Sequence, residues 1–217
     1  MIPLMGSIDD LVGEQIEQYV DLGYPEMASL APERFRTLLR QSIPPVVGDA
    51  PTTSSREPGR YPAVLVVTDR LIPVEQRVDA LRWNAGDRKG VVDPNHGPEG
   101  LKGYRPLPGL DVPDESVYLL VDVERGDSFR GETPDEAVGI LESRGRSPLT
   151  IDEGVSLAAL HPEALESNHC FMLAGSSRGD RRVPALWIAD RAPKLGWCWK
   201  GNRHSWLGIA STARRTP

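Results

Sequence analysis

The sequence predicts an α+β fold: a mixed, partly antiparallel sheet with flanking helices, long loops and an N-terminal helical hairpin. Three observations lead there. Apolar, β-branched runs of strand length alternate with capped amphipathic segments through most of the chain. The last strand-like runs follow one another without intervening helices, which favours antiparallel pairing. Gly and Pro, 21 and 20 of 217 residues, punctuate the long stretches between these elements.

Ser7 followed by Asp10 is a capping signal, and Leu11, Val12, Ile16, Tyr19 and Val20 then recur at helical spacing. Gly23-Tyr24-Pro25 stops that helix, and Pro32 at a first-turn position opens a second through Phe35, Leu38 and Leu39. Residues 1–45 therefore read as a helical hairpin appended to the rest. The Pro-, Ser-, Thr- and Gly-rich residues 46–60 read as a linker, and residues 61–217 as an α+β core domain. In that core, Ala63 to Thr68 is a strand covered on both faces, and Val74 to Trp83 is a short helix. Asn84 to Glu115 wanders over the surface. Val117 to Val123 is a second strand. Thr133-Pro134-Asp135-Glu136 starts a helix ending near Gly145. Thr150 to Glu153 is a capping box, whose helix His161-Pro162 interrupts. Strands follow at Cys170 to Ala174 and Ala185 to Ala189, and a last hairpin turns at Gly201-Asn202.

A net charge of −6 and a pI near 5.3 disfavour a general nucleic-acid binder, whose affinity rests on clustered Lys and Arg. No apolar segment is long enough to span a bilayer, so the expectation is a cytoplasmic protein with no membrane partner. Its two cysteines, Cys170 and Cys198, are then reduced.

The last hairpin carries the densest chemistry. With the turn at Gly201-Asn202, Trp197 faces Trp206 and Trp199 faces His204, so these four share one face while Cys198 and Ser205 point to the other. An aromatic cluster with an embedded histidine accounts for that face. Burial among indoles would also keep His204 neutral and able to bind a metal. Asp93 to Gly100 presents His96 from a turn-rich loop, and Asp122 and Glu124 stand two apart at a strand end, on one face. His96, His204 and one of Asp122 or Glu124 would make the two-imidazole, one-carboxylate set suited to non-haem Fe(II) with open positions for substrate and dioxygen. Alternatively the two acids pair with Arg125 or with Arg181 and Arg182. The last two offer guanidinium forks for a carboxylate or phosphate, and Trp199 and Trp206 offer surfaces for a planar substrate. His161, before a proline, suits capping. His169 and Cys170, adjacent on a strand, do not form a natural chelate. Rossmann, phosphate-loop, GxSxG and HExxH patterns do not occur in the required context.

The blocks GDRRVPALWI, PKLGWCWKGNRHSWLG, GRSPLTIDEG and NHGPEGLKGYRPLPGL together resemble an actinobacterial family of soluble proteins defined as a domain of unknown function. The likeness runs from about Tyr61 to the C-terminus, more loosely through the N-terminal helices. The family pattern is expected to carry Pro where Arg203 stands. The chain also looks similar to non-haem iron oxygenases of C-nucleoside antibiotic (oxazinomycin) biosynthesis. That likeness implies Fe(II)- and dioxygen-dependent oxidation of a nucleoside-like heterocycle, with His96 and His204 in the shared blocks. Two readings of function stand side by side: such an oxygenase, or a non-enzymatic module whose indoles and arginines receive a small molecule or partner strand. Metal-free acid–base catalysis by Asp122 and Glu124 is a third, with no second feature behind it.

Overall fold

A computed structural model describes residues 7–43, 57–83 and 88–216. Residues 46–56 of the expected linker and 84–87 of the expected surface loop lie outside the described residues. Three helices come first: α1 (Ile8–Asp21), the single turn α2 (Tyr24–Met27) and α3 (Pro32–Ser42). They are followed by β1 (Arg60–Val67), α4 (Val74–Ala80), β2 (Val91–Val92), β3 (Arg105–Pro106), β4 (Val117–Glu124), α5 (Pro134–Ser143), β5 (Ser147–Pro148) and α6 (Ile151–Leu160). The chain ends in β6 (Cys170–Met172), β7 (Ser176–Ser177), β8 (Arg182–Ala189), β9 (Ala192–Trp199), β10 (Leu207–Ile209) and β11 (Ser211–Thr216). This is the α+β class the sequence predicts.

The three capping signals fold as read. Ser7 with Asp10, Thr133 with Glu136 and Thr150 with Glu153 each form a reciprocal capping box, which satisfies first-turn N–H groups that a helix cannot bond internally. Helix α6 is buried nearly all round, the pattern of a helix enclosed in a core rather than lying on it. It packs against β1 of one sheet and reaches β8 of another. The first sheet has the order β1-β4-β11-β5 and is antiparallel throughout. The second has the order β10-β6-β8-β9-β2, parallel at its two outer pairs and antiparallel between β6, β8 and β9. A short ribbon, β3 with β7, ties the 94–112 segment to the body. The chain crosses from the second sheet to the first at Ala210, between β10 and β11.

The helical hairpin, read from sequence as an appendage, shares the core. Val12, Ile16, Tyr19, Phe35 and Leu39 belong to the same buried cluster as the sheet residues Val64, Leu65 and Leu119. Gln15 explains the attachment. Strand β1 is an edge, and the buried Gln15 amide donates to the Ala63 carbonyl at 2.9 Å while accepting the Leu65 N–H at 2.7 Å. Tyr19 Oη adds a donation to Leu65 O at 2.6 Å, so α1 does for β1 what a neighbouring strand would.

No helix among the described residues is long and apolar enough to cross a membrane.

Candidate functional site

The expected terminal hairpin is displaced by one strand. β9 pairs with β8, not with the segment that follows it, and the turn is Asp190-Arg191, where both residues have positive φ (51° and 62°). Lys200 N–H bonds to Arg181 O at 2.7 Å, so by alternation Pro184 with Trp197 and Pro193 with Ile188 are non-hydrogen-bonded pairs, and neither proline is asked for an N–H in the β8–β9 ladder. Gly201-Asn202 is a loop turn in which Asn202 N–H donates to Trp199 O at 2.9 Å, and β10 then runs parallel to β6.

This register divides the aromatic residues. Trp197 and Trp199 share a face of β9 and meet edge-on, 4.7 Å between centroids. Trp187 lies on the opposite face, where a Cβ at Gly196 would overlap its ring. Trp206 meets Trp187 edge-on at 6.3 Å and His204 at 5.6 Å, so His204 and Trp206 belong to the Trp187 row and not with Trp197 and Trp199 as expected. Cys198, across from Val183, also lies on the Trp187 side rather than turned away from it, and burial lifts its thiol to about 11. Cys170 and Cys198 are both free.

The four expected metal ligands are not assembled. His96 is 1% exposed against β9, and both ring nitrogens are engaged: Nε2 donates to Leu195 O at 3.1 Å and Nδ1 accepts from Tyr104 Oη at 3.2 Å. The carbonyl partner fixes the proton on Nε2, and burial holds the ring below the ordinary histidine pKa. His204 Nε2 is buried with no hydrogen-bond partner among the described residues, and burial lowers its pKa too. Asp122 and Glu124 do stand together, at the end of β4 in the other sheet, but their partners are Arg60 and Arg146 rather than Arg125, Arg181 or Arg182. Arg60 forks onto Asp122 at 2.7 and 3.0 Å, and Arg146 donates to it at 2.8 Å. Burial opposes the charge of Asp122, yet these bonds outweigh it and hold the carboxyl below its usual range. Glu124 lies 3.4 Å from Arg146. Among the described residues no three His, Cys, Asp or Glu side chains converge as a metal site. The residues present do not fit an Fe(II) centre: His96 and Asp122 have committed their lone pairs to Tyr104 and to Arg60 and Arg146, and His204, whose Nε2 is unpartnered, is not joined by two further donors among the described residues. His161 and His169 likewise have local acids, Glu163 and Asp127, each at 3.1 Å.

Of the four expected substrate-binding residues, Trp199, Arg181 and Arg182 come together at the open end of the β8–β9 hairpin, and Trp206 does not. Trp199 stands directly across from Arg182 and is 44% exposed, one of two exposed large hydrophobic side chains among the described residues. Arg182 stacks over Trp197 at 4.9 Å, Arg178 over Tyr104 at 5.5 Å, and Asp180 lies 3.3 Å from each guanidinium. Arg182 Nε is buried with no acceptor, and Arg181 has no carboxylate within ion-pair distance among the described residues. Trp197 is pinned by its Nε1–H donating to Asn95 O at 2.9 Å, and Arg178 is pinned on His96 O. Arg178 opens the segment, Arg178 to Arg182, that the sequence offers for gripping an acid group, whereas Tyr104 is not among the residues it points to. The signal available was the whole GDRR block beside an NHG loop, but which loop residues reach the arginines depends on long-range packing. Asp180 and Arg182 also line a small pocket of about 110 Å³, walled by Leu107, Val138 and Val183, with Lys200 and Asp135 ion-paired at 2.7 Å among its lining residues.

Neither the curated proteins nor the solved structures contain a match to the chain. A family model does match, over residues 18–217, which include every residue of this site. The chain belongs to that family, described as a family of unknown function (DUF5701).

Proposed function

We propose that the chain is a binding module for a planar, acidic small molecule, whose ring stacks on Trp199 and whose acid group is taken by Arg181 and Arg182. The observation that carries this reading is the conjunction of an exposed indole, Trp199, with an exposed Arg181 that has no carboxylate partner among the described residues and with Arg182 directly across the ladder from that indole. An indole edge held by a second tryptophan loses little rotamer freedom on binding, and a guanidinium fork suits a carboxylate or phosphate. The chain as a whole is acidic, so this local cationic end discriminates by position rather than by net charge. The reading requires recognition only, with no metal.

Tryptophan fluorescence titration with orotate, uracil and inorganic phosphate tests it. Orotate, which has both ring and carboxylate, is expected to quench emission saturably, with either partial probe at least about tenfold weaker. Trp199→Ala and Arg181→Ala, both at exposed positions, are each expected to weaken orotate about tenfold without lowering the melting temperature. Equal response to all three probes, or orotate binding untouched by both substitutions, overturns the proposal.

A further inference from the structure

A second cavity, of about 140 Å³, lies between the start of α6, the turn before α4 and the 101–112 segment, and shares Tyr104 but neither the tryptophans nor the arginines of the first site. Its lining carries charge of both signs. On the body side are Asp69 and Asp152. Asp152 is held through Oδ1 by Arg77, a fully buried arginine that also donates to Ile72 O at 3.0 Å and Val67 O at 2.7 Å. Arg77 has no freedom to leave, so Asp152 is fixed at the cavity wall, and its Oδ2 has no donor among the described residues. Asp69 spends Oδ1 on the Val74 N–H at 2.8 Å. With Arg77 counted, this wall retains one net negative charge.

Cations also line the cavity. Lys102 and Arg105 come from the 101–112 segment, and Lys102 has no carboxylate within ion-pair distance among the described residues. Arg105 is folded back on its own segment, donating to Lys102 O at 2.5 Å and Tyr104 O at 2.7 Å, and so adds field rather than a free fork. The apolar part of the lining comes from Val74, Leu101 and Val112.

Negative, positive and aliphatic lining groups around so small a volume are complementary to one molecule carrying both charges. We infer that this cavity binds a zwitterionic ligand of the α-amino acid class with an aliphatic side chain, its ammonium on Asp152 and Asp69 and its carboxylate on Lys102. A simple amine or a simple acid would leave one of the two sets of charges unanswered. This ligand site is separate from the one proposed above and does not depend on it.

Thermal-shift and calorimetric titrations of the full chain with L-leucine, 3-methylbutylamine and 4-methylpentanoate provide the test. Leucine at millimolar concentration is expected to raise the melting temperature, and each half-ligand to bind at least about tenfold more weakly. Asp69→Asn and Lys102→Gln lie outside the buried Arg77 cluster and keep the fold, and each is expected to weaken leucine about tenfold. Val112→Trp fills the cavity and is expected to abolish binding. Trp199→Ala, at the other site, is expected to leave leucine binding unchanged. Absence of any leucine response in the wild-type chain, equal affinity for all three probes, or loss of leucine binding in Trp199→Ala overturns the inference.

Discussion

His96 shows how a residue with the chemistry of a metal ligand is made structural. Its Nε2–H and Nδ1 lone pair are both used, by Leu195 O and Tyr104 Oη, and its main-chain oxygen receives Arg178. The ring therefore welds the 94–104 loop to β9, and the main-chain oxygen holds Arg178 over Tyr104. Neutrality is part of that function, and it has a pH signature. For His96 and His204 the folded pKa lies below the ordinary value of 6.5 because of burial. Above about pH 6.5 neither state binds the proton and there is no dependence. As pH falls below that value the unfolded chain takes up protons that the folded chain refuses, so unfolding free energy decreases until the folded pKa is passed. The urea midpoint is expected to drop between pH 7.5 and 5.5, and to drop less in the His96→Gln, His204→Gln double variant. A slope unchanged by the double substitution would assign the dependence to other groups. Asp122 behaves oppositely in range: its folded pKa is depressed below 3.8, so its contribution is lost only in stronger acid.

At the scale of the element, the β8–β9 hairpin decides where the binding residues go, and it was only half legible. The strands themselves are apolar and β-rich, and the alternation that places Trp197 and Trp199 on one face follows from the backbone alone. The partner did not follow. Gly201-Asn202 has the composition of a tight turn, whereas the actual turn, Asp190-Arg191, holds two non-glycine residues in the left-handed region that such turns normally give to Asn or Gly. Tertiary pairing overrode turn preference, and the whole His204–Trp206 row moved to the other face. The capping boxes, in contrast, were legible because donor and acceptor lie three residues apart, and Gln15 was not, because its partner strand lies 48 residues away. A left-handed arginine carries a conformational cost, so Arg191→Gly is expected to stabilise the chain by roughly 1 kcal/mol, seen as a higher urea midpoint at unchanged slope. A lower midpoint would mean that the Arg191 side chain contributes more than its backbone strain costs.

Over the whole molecule, the first sheet is assembled from segments scattered along the chain, with β11 inserted between β4 and β5 although it lies at residues 211–216. That strand also carries Arg215, which forks onto the fully buried Glu153 at 2.6 and 2.9 Å, beside Tyr118 Oη donating to the same carboxylate at 2.9 Å. Glu153 is at once the capping-box acid of α6 and the anion that β11 neutralises, so the central helix and the last strand depend on each other. Removing one member of a buried ion pair leaves the other charge without compensation, a loss of about 3–5 kcal/mol, comparable with much of a domain's net stability. Arg215→Gln is therefore expected to lower the unfolding free energy by about that amount while the transition stays cooperative. A chain ending at Ala210 loses in addition the ladder bonds of β11 to both neighbours, and is expected to show no cooperative urea transition and no near-ultraviolet circular dichroism of packed aromatic residues. Retention of a cooperative transition in the shortened chain would mean that β4 and β5 close on each other without β11, and that the fold does not wait for its last strand.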